Sequence, residues 1–217
     1  MGSEGPKPVT INVTGFKKFR GVPENPTETI VKNLKSFVEK KGLPPGVTVG
    51  TCTALEVSGD GALAMLLKVM EPGISSNGST CDERVVWLHL GVHGGASKFS
   101  IERQAVNEAT FCCPDERGWQ PWQLPIVPED GKISRTRKTS FSTEAILKFL
   151  EKKGYGVTLS NDAGRFVCNY VYYHSLRLAE QRGGRSLFVH VPPFSRIDQE
   201  TQMNFVASLL EAIASSY

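Results

Sequence analysis

The sequence predicts an α/β fold: a mostly parallel, twisted sheet covered by helices on both faces, a three-layer α/β/α sandwich. Three observations predict it. Short apolar runs alternate with segments of helical spacing along the chain, an order that calls for crossover connections between parallel strands. Residues 85–92 are apolar almost throughout, as in a central strand buried on both faces. The chain has 217 residues, 40% hydrophobic and 22% charged, enough to bury one sizeable core. Residues 1–217 therefore read as one domain, with 1–8 a flexible N-terminus.

Each element has a local reason. Residues 9–13 alternate apolar and polar positions and run into Thr14-Gly15, a strand ending at a turn. Residues 26–41 read as a helix. Proline is tolerated in its first turn, Ile30, Leu34 and Val38 recur every four residues, and Gly42 stops it. A strand follows over 47–57, then a helix over 61–70 with Ala62, Leu63, Met65, Leu66 and Val69 at helical spacing. After the strand 85–92, residues 99–111 mix apolar and polar positions in an extended manner. Residues 113–139, rich in Pro, Gly, Trp and charge, exceed an ordinary connection and point to a functional loop or to short elements of their own. A Ser-capped helix over 142–153 ends with Lys152 and Lys153. Beyond it come a strand over 156–159, a turn at Asn161-Asp162-Ala163-Gly164 and a helix over 165–181. A strand over 187–191 and an amphipathic helix over 198–214 close the chain.

Composition excludes several functions. A net charge of +3 is too slight an imbalance to predict nucleic-acid or anionic-membrane partners. No apolar run approaches the ~20 residues of a membrane helix, and the polar start lacks the apolar stretch of a secretory signal, so a cytoplasmic location is expected. The five cysteines, Cys52, Cys81, Cys112, Cys113 and Cys168, are odd in number and unframed, which suits a reducing compartment. On that reading Asn12-Val13-Thr14 and Asn77-Gly78-Ser79 match the glycosylation pattern by chance.

Residues 15–21 lack the dinucleotide fingerprint, and in residues 91–98 the lysine follows the serine, unlike a phosphate-binding loop. His89 and His93 lie four apart and would share a face of a straight strand, but no Cys-x-x-Cys pair joins them, and adjacent Cys112 and Cys113 suit one tetrahedral ion poorly. No metal site is expected. The basic clusters Lys17, Lys18, Arg20 and Arg135, Arg137, Lys138 read as solvated faces.

Cys168 differs by its address, after a strand and a glycine turn, in the opening turn of a helix. Backbone N–H groups and the positive helix end there favour a thiolate and can receive an oxyanion. Its alternative is a small buried hydrophobe on the face of Val167, Val171 and Leu178. His190, near the end of its strand and just before Pro192-Pro193, is either a base for that thiol or a core histidine. Glu102 can orient the imidazole or pair with Arg103, and His89, His93 and His174 remain competitors for the base.

Four segments in register resemble the pyroglutamyl peptidase I (pyrrolidone-carboxylate peptidase) family over nearly the whole chain. They are Thr14-Gly15-Phe16 with Phe19, Gly21 and Asn25-Pro26-Thr27-Glu28; Ile101-Glu102-Arg103-Gln104-Ala105-Val106-Asn107; Asp162-Ala163-Gly164-Arg165-Phe166-Val167-Cys168-Asn169-Tyr170; and Phe188-Val189-His190-Val191-Pro192. The wording looks most like the plant branch. The resemblance implies a cysteine peptidase that removes N-terminal pyroglutamyl residues from peptides, needing neither metal nor organic cofactor. Its nucleophile would be Cys168, its general base His190 and its orienting carboxylate Glu102. Phe16 and Phe19 would hold the lactam ring and Asn25 would support the first loop. Phe166, Val167 and Cys113 would line the pocket. An uncharged lactam suits aromatic walls and a few hydrogen bonds.

Departures from the family pattern fall at Lys17, Lys18, Arg20, Val92, Ala96 and Cys113. Those at Lys17, Lys18, Arg20 and Ala96 raise a competing expectation, a catalytically weak member that binds peptides or regulates. Cys112-Cys113 with a reactive Cys168 raises a third, a redox-sensing thiol protein. Homo-oligomers are compatible with the resemblance, and the sequence does not determine them.

Overall fold

The computed structural model describes residues 8–71 and 84–216. The polar start ahead of Pro8, Asn77-Gly78-Ser79 and Cys81 lie outside the described residues. Eight strands and five helices follow one another among these, β1 (Val9–Phe16), α1 (Pro26–Lys41), β2 (Val47–Leu55), α2 (Gly59–Met70), β3 (Arg84–Val92), β4 (Phe99–Glu102), β5 (Gln104–Val106), β6 (Thr136–Lys138), α3 (Thr143–Lys152), β7 (Val157–Ser160), α4 (Val167–Arg182), β8 (Arg185–Val191) and α5 (Gln199–Ser215). Six strands form one sheet in the order β2-β1-β3-β8-β4-β7, and β5 and β6 pair separately. Within the six-stranded sheet the pairings are parallel except β4 with β8, which is antiparallel, and β5 and β6 also pair antiparallel. The expected α/β class with a mostly parallel sheet is therefore observed.

The sheet buries an apolar layer on each face. Helices α1, α3 and α5 bring Ile30, Leu34, Ile146, Leu150, Phe205 and Leu209 onto one face. On the other, α2 and α4 bring Leu66, Val171 and Tyr172 against Phe188. β3 is central, and Val86, Leu88 and Leu90 are wholly buried, as its unbroken apolar run requires.

Local departures from the sequence pattern have physical causes. β1 runs on through Thr14-Gly15 to Phe16 because those residues keep pairing with β2 up to Leu55. A side-chain carbon on Gly15 would sit 2.4 Å from the Thr27 carbonyl oxygen, so this glycine serves close approach of a helix to a strand. α2 begins at Gly59, whose N–H donates to Asp115 at 2.8 Å. The stretch 99–111 breaks after Glu102 and feeds two different sheets through β4 and β5. Ser142 stands at the α3 N-cap, yet its side chain makes no capping bond. α4 starts at Val167 rather than at 165, because the Arg165 guanidinium turns back to Glu108 and Asp162.

The long connection 113–139 carries a short 3-10 turn, Pro128–Asp130, and β6. Within the basic cluster there, Arg137 is not a solvated cation. It is mostly buried and ion-paired with Asp130 at 2.7 Å and with Glu180, and Tyr173 donates to Asp130 at 2.7 Å, which ties the small sheet to α4.

Candidate active site

His190 on β8 lies directly opposite Ser100 of the reversed strand β4, and Glu102 lies opposite Phe188. Opposed residues of an antiparallel pair share a face. His190 Nδ1 and Glu102 Oε1 are 2.8 Å apart, with Glu102 2% and His190 7% exposed. The Nδ1–H donates to the carboxylate, which leaves Nε2 uncommitted to Glu102. Glu102 Oε2 is buried without a hydrogen-bond partner, so the imidazole is the carboxylate side chain's hydrogen-bonded partner. Arg103, the other cation considered for Glu102, pairs with Glu144 instead. The Tyr172 hydroxyl donates to the Glu102 carbonyl at 2.9 Å and pins the end of β4.

Burial alone pushes the His190 imidazole down. The Cys168 side chain and the Glu102 carboxylate beside it outweigh that and carry it from 6.5 up to about 9. The ring is therefore held as imidazolium at neutral pH.

Cys168 is the second residue of α4, behind an N-cap residue, Phe166, that offers no side-chain cap. The first-turn N–H groups of a helix have no acceptor inside it, so they and the helix dipole point positive charge at this end. Two side chains hold the turn in place. Arg165 reaches Glu108 at 3.0 Å and Asp162 at 2.6 Å. Asn169, wholly buried, accepts from the Val106 N–H at 2.9 Å and donates to the carbonyls of Val106 at 2.8 Å and Glu108 at 3.0 Å. β3 passes underneath with Gly91, where an added side-chain carbon would stand 3.1 Å from Cys168 Sγ and 2.7 Å from the Phe188 ring.

Cys168 and His190 line one cavity of about 170 Å³ together with Phe16, Phe19, Asn25, Phe166 and Val167. Val57, Val92 and Ala163 complete its wall. Cys113 lines an adjoining cavity of about 240 Å³, which shares Phe19, Val57 and Phe166 with the first. The loop carrying the two phenylalanines is knitted to the start of α1. The Thr27 hydroxyl accepts from the Phe16 N–H at 2.8 Å, Asn25 donates to the Lys17 carbonyl at 3.1 Å, and Glu28 accepts from the Lys18 N–H at 2.9 Å.

The other histidines have different surroundings. His89 is wholly buried between Thr14 and Ser175, each at 2.7 Å, and burial pushes it down to about 3. His174 packs on Tyr170; burial first, then Arg177, pushes it down to about 4. His93 is exposed, with its ring centre 6.1 Å from that of His190. Burial pushes the Cys52 thiol up to about 11; Cys112 is exposed. Among the described residues no group of three or more His, Cys, Asp or Glu is placed to hold a metal ion, and no helix is long and apolar enough to cross a membrane.

Sequence reasoning missed Asn169, Tyr172 and Gly91 as supports of the site. A buried-type position held by asparagine beside the opening cysteine was the available signal for the first; the other two act through tertiary approach and left none.

The sequence matches the family model described as pyroglutamyl peptidase over residues 9–213. It is 33% identical to a pyrrolidone-carboxylate peptidase of Pyrococcus furiosus over 192 residues, which span 83% of this chain and 79% of that protein. With the pyrrolidone-carboxylate peptidase of Enterococcus faecalis it shares 31% identity over 211 residues, 94% of this chain and 87% of that one. A solved structure of a mutant pyrrolidone carboxyl peptidase from Pyrococcus furiosus superposes with a TM-score of 0.80 at 29% identity, covering 95% of this chain and 98% of that chain. The enzyme of Thermococcus litoralis gives 0.78 at 25% identity, covering 95% and 93%.

Proposed function

The chain belongs to the pyroglutamyl peptidase family, and on that premise we propose that it removes N-terminal pyroglutamyl residues from peptides with Cys168 as nucleophile, His190 as general acid–base and Glu102 as positioning carboxylate. The observation that carries the residue assignment is the buried 2.8 Å His190–Glu102 bond next to a cavity that His190 shares with Cys168.

The chemistry follows from the geometry. The lactam ring enters the cavity between Phe16, Phe19 and Phe166, an apolar space of a few water volumes that fits an uncharged five-membered ring. The Cys168 thiolate attacks the carbonyl joining pyroglutamate to the next residue. The oxygen that gains charge faces the N–H groups at the start of α4. The His190 imidazolium gives its Nε2 proton to the leaving amine, and the C–N bond breaks to leave a thioester. His190, now neutral, takes a proton from water, which attacks the thioester and releases pyroglutamate and the thiolate. Glu102 holds the tautomer and stabilises the imidazolium throughout.

The family departures at Lys18 and Arg20 leave the loop's anchors intact, because those residues are held by their backbone N–H groups, to Glu28 and Glu116. This favours an active enzyme over a binding-only relative. A reducing compartment such as the cytoplasm suits a working thiol. The whole chain 1–217 acts as one domain on this reading, and the wording of its four family segments looks most like the plant branch.

A fluorogenic pyroglutamyl arylamide tests the assignment. The wild type turns it over, and Cys168→Ser and His190→Ala each lower kcat by about 10³-fold or more. Wild-type protein that binds the arylamide without cleaving it overturns the reading.

A further inference from the structure

A second cavity, of about 550 Å³, opens on the far side of His190. Its floor is the face of the sheet that continues outward from the Cys168–His190 pair. In the register of β8, β4 and β7, His190 stands opposite Ser100 and Ser100 opposite Thr158; the next row holds Phe188, Glu102 and Ser160. Ala163 and His190 belong to both cavities, so the two spaces adjoin at the reacting pair. The hydroxyls of Ser100, Thr158 and Ser160 give this floor the polarity that a peptide backbone needs and a lactam ring does not.

The charges around the cavity are unequal in their commitments. Glu102 is bonded to His190, and Asp162 is bonded to Arg165 and to the Gly164 N–H. His93 borders the cavity beside His190. Lys98 is exposed and has no carboxylate partner among the described residues. It lies in the bend that leads into β4, two residues ahead of Ser100, the residue opposite His190, and it lines the same cavity as His190. A peptide whose leaving side crosses this cavity from His190 therefore passes Lys98.

We propose that this cavity takes the leaving side of the substrate and that Lys98 selects peptides carrying a carboxylate within the first two residues after the scissile bond. The proposal rests on the assignment of Cys168 and His190 as the hydrolytic pair. The carboxylate has two sources: the free C-terminus of a short peptide, or an acidic side chain on the residue that directly follows pyroglutamate.

The test measures kcat/KM for two matched pairs, pyroglutamyl-alanine against its C-terminal amide, and pyroglutamyl-glutamate amide against pyroglutamyl-glutamine amide. It uses wild type, Lys98→Ala and Lys98→Glu, with the pyroglutamyl arylamide run alongside. Wild type favours the carboxylate member by roughly two- to five-fold at low salt. Lys98→Ala abolishes the preference and Lys98→Glu reverses it; in wild type it shrinks as salt shortens the Debye length to about 3 Å at 1 M. A response confined to the first pair identifies the C-terminal carboxylate, and one confined to the second identifies the side chain. Ratios identical in all three proteins, with arylamide cleavage present, overturn the role of Lys98 while the hydrolytic assignment stands. Wild type that cleaves nothing in the series overturns both.

Discussion

Glu102→Gln is the most informative single substitution, because it removes a charge and keeps the shape. The carboxylate touches His190 through one 2.8 Å bond inside a pair that is almost wholly buried. The rise of the imidazole from 6.5 to about 9, against burial that opposes it, is the joint work of Cys168 and Glu102. That rise corresponds to about 3 kcal/mol of preference for the charged ring, and the two partners act against the burial cost as well. Assigning Glu102 about half of their combined effect makes its charge worth about 2 kcal/mol, or roughly thirty-fold in the share of imidazolium at pH values above about 9. The glutamine can also donate to Nδ1 and favour the wrong tautomer, which deepens the loss. The assay is kcat/KM for pyroglutamyl arylamide from pH 5 to 11. In wild type the rate falls on the alkaline side through about pH 9 as the ring loses its proton. In the variant this limb moves by about one pH unit or more toward 6.5, so that above pH 9 the rate drops roughly thirty-fold. A variant with the wild-type rate and the wild-type alkaline limb refutes the positioning role of Glu102.

Three further outcomes are expected. His89, wholly buried, and His174, partly buried, are held neutral, pushed down to about 3 and about 4, so the unfolded chain binds protons that the folded one refuses. Stability is full above pH 6.5 and is lost as pH falls below it, by about 2 kcal/mol for each histidine near pH 5; urea titrations should show it, with His174→Phe removing about half. Asn169→Ala strands the three backbone groups that its side chain bonds, at a cost of about 3–5 kcal/mol in unfolding free energy, and its arylamide activity should fall as the start of α4 loosens. Gly91→Ala pushes a methyl against Cys168 Sγ and the Phe188 ring; kcat should fall at least ten-fold while circular dichroism stays native, and unchanged kcat would refute the packing described.

Much of this was legible in the residues. The apolar run of β3 announced a strand covered twice, and Asn25-Pro26 ahead of Ile30, Leu34 and Val38 announced α1 to its ends. Cys168 was marked by its helix-start address. Periodicity did not reveal that β4 runs against β8, because strand direction depends on the connections and not on the alternation of side chains. Nor did it separate Glu102 from Arg103 as partners, since the break after Glu102 sends the two into different surroundings, one toward His190 and the other toward Glu144. The ion-paired Arg137 was read as solvated because its partners Asp130 and Glu180 lie in other elements.

The sheet order has a consequence for the timing of activity. β8, the last strand among the described residues, is inserted between β3 and β4, and it carries His190 to a carboxylate 88 residues earlier in the chain. Until it docks, β3 and β4 have open edges, and on the proposed assignment the cysteine faces no base. A nascent chain released or stalled before residue 185 is then a thiol protein with two unpaired sheet edges, prone to stick and, on that assignment, unable to cut. On the proposed assignment hydrolysis waits until β8 has closed the gap between β3 and β4, so the fold itself withholds the peptidase activity until that strand is in place.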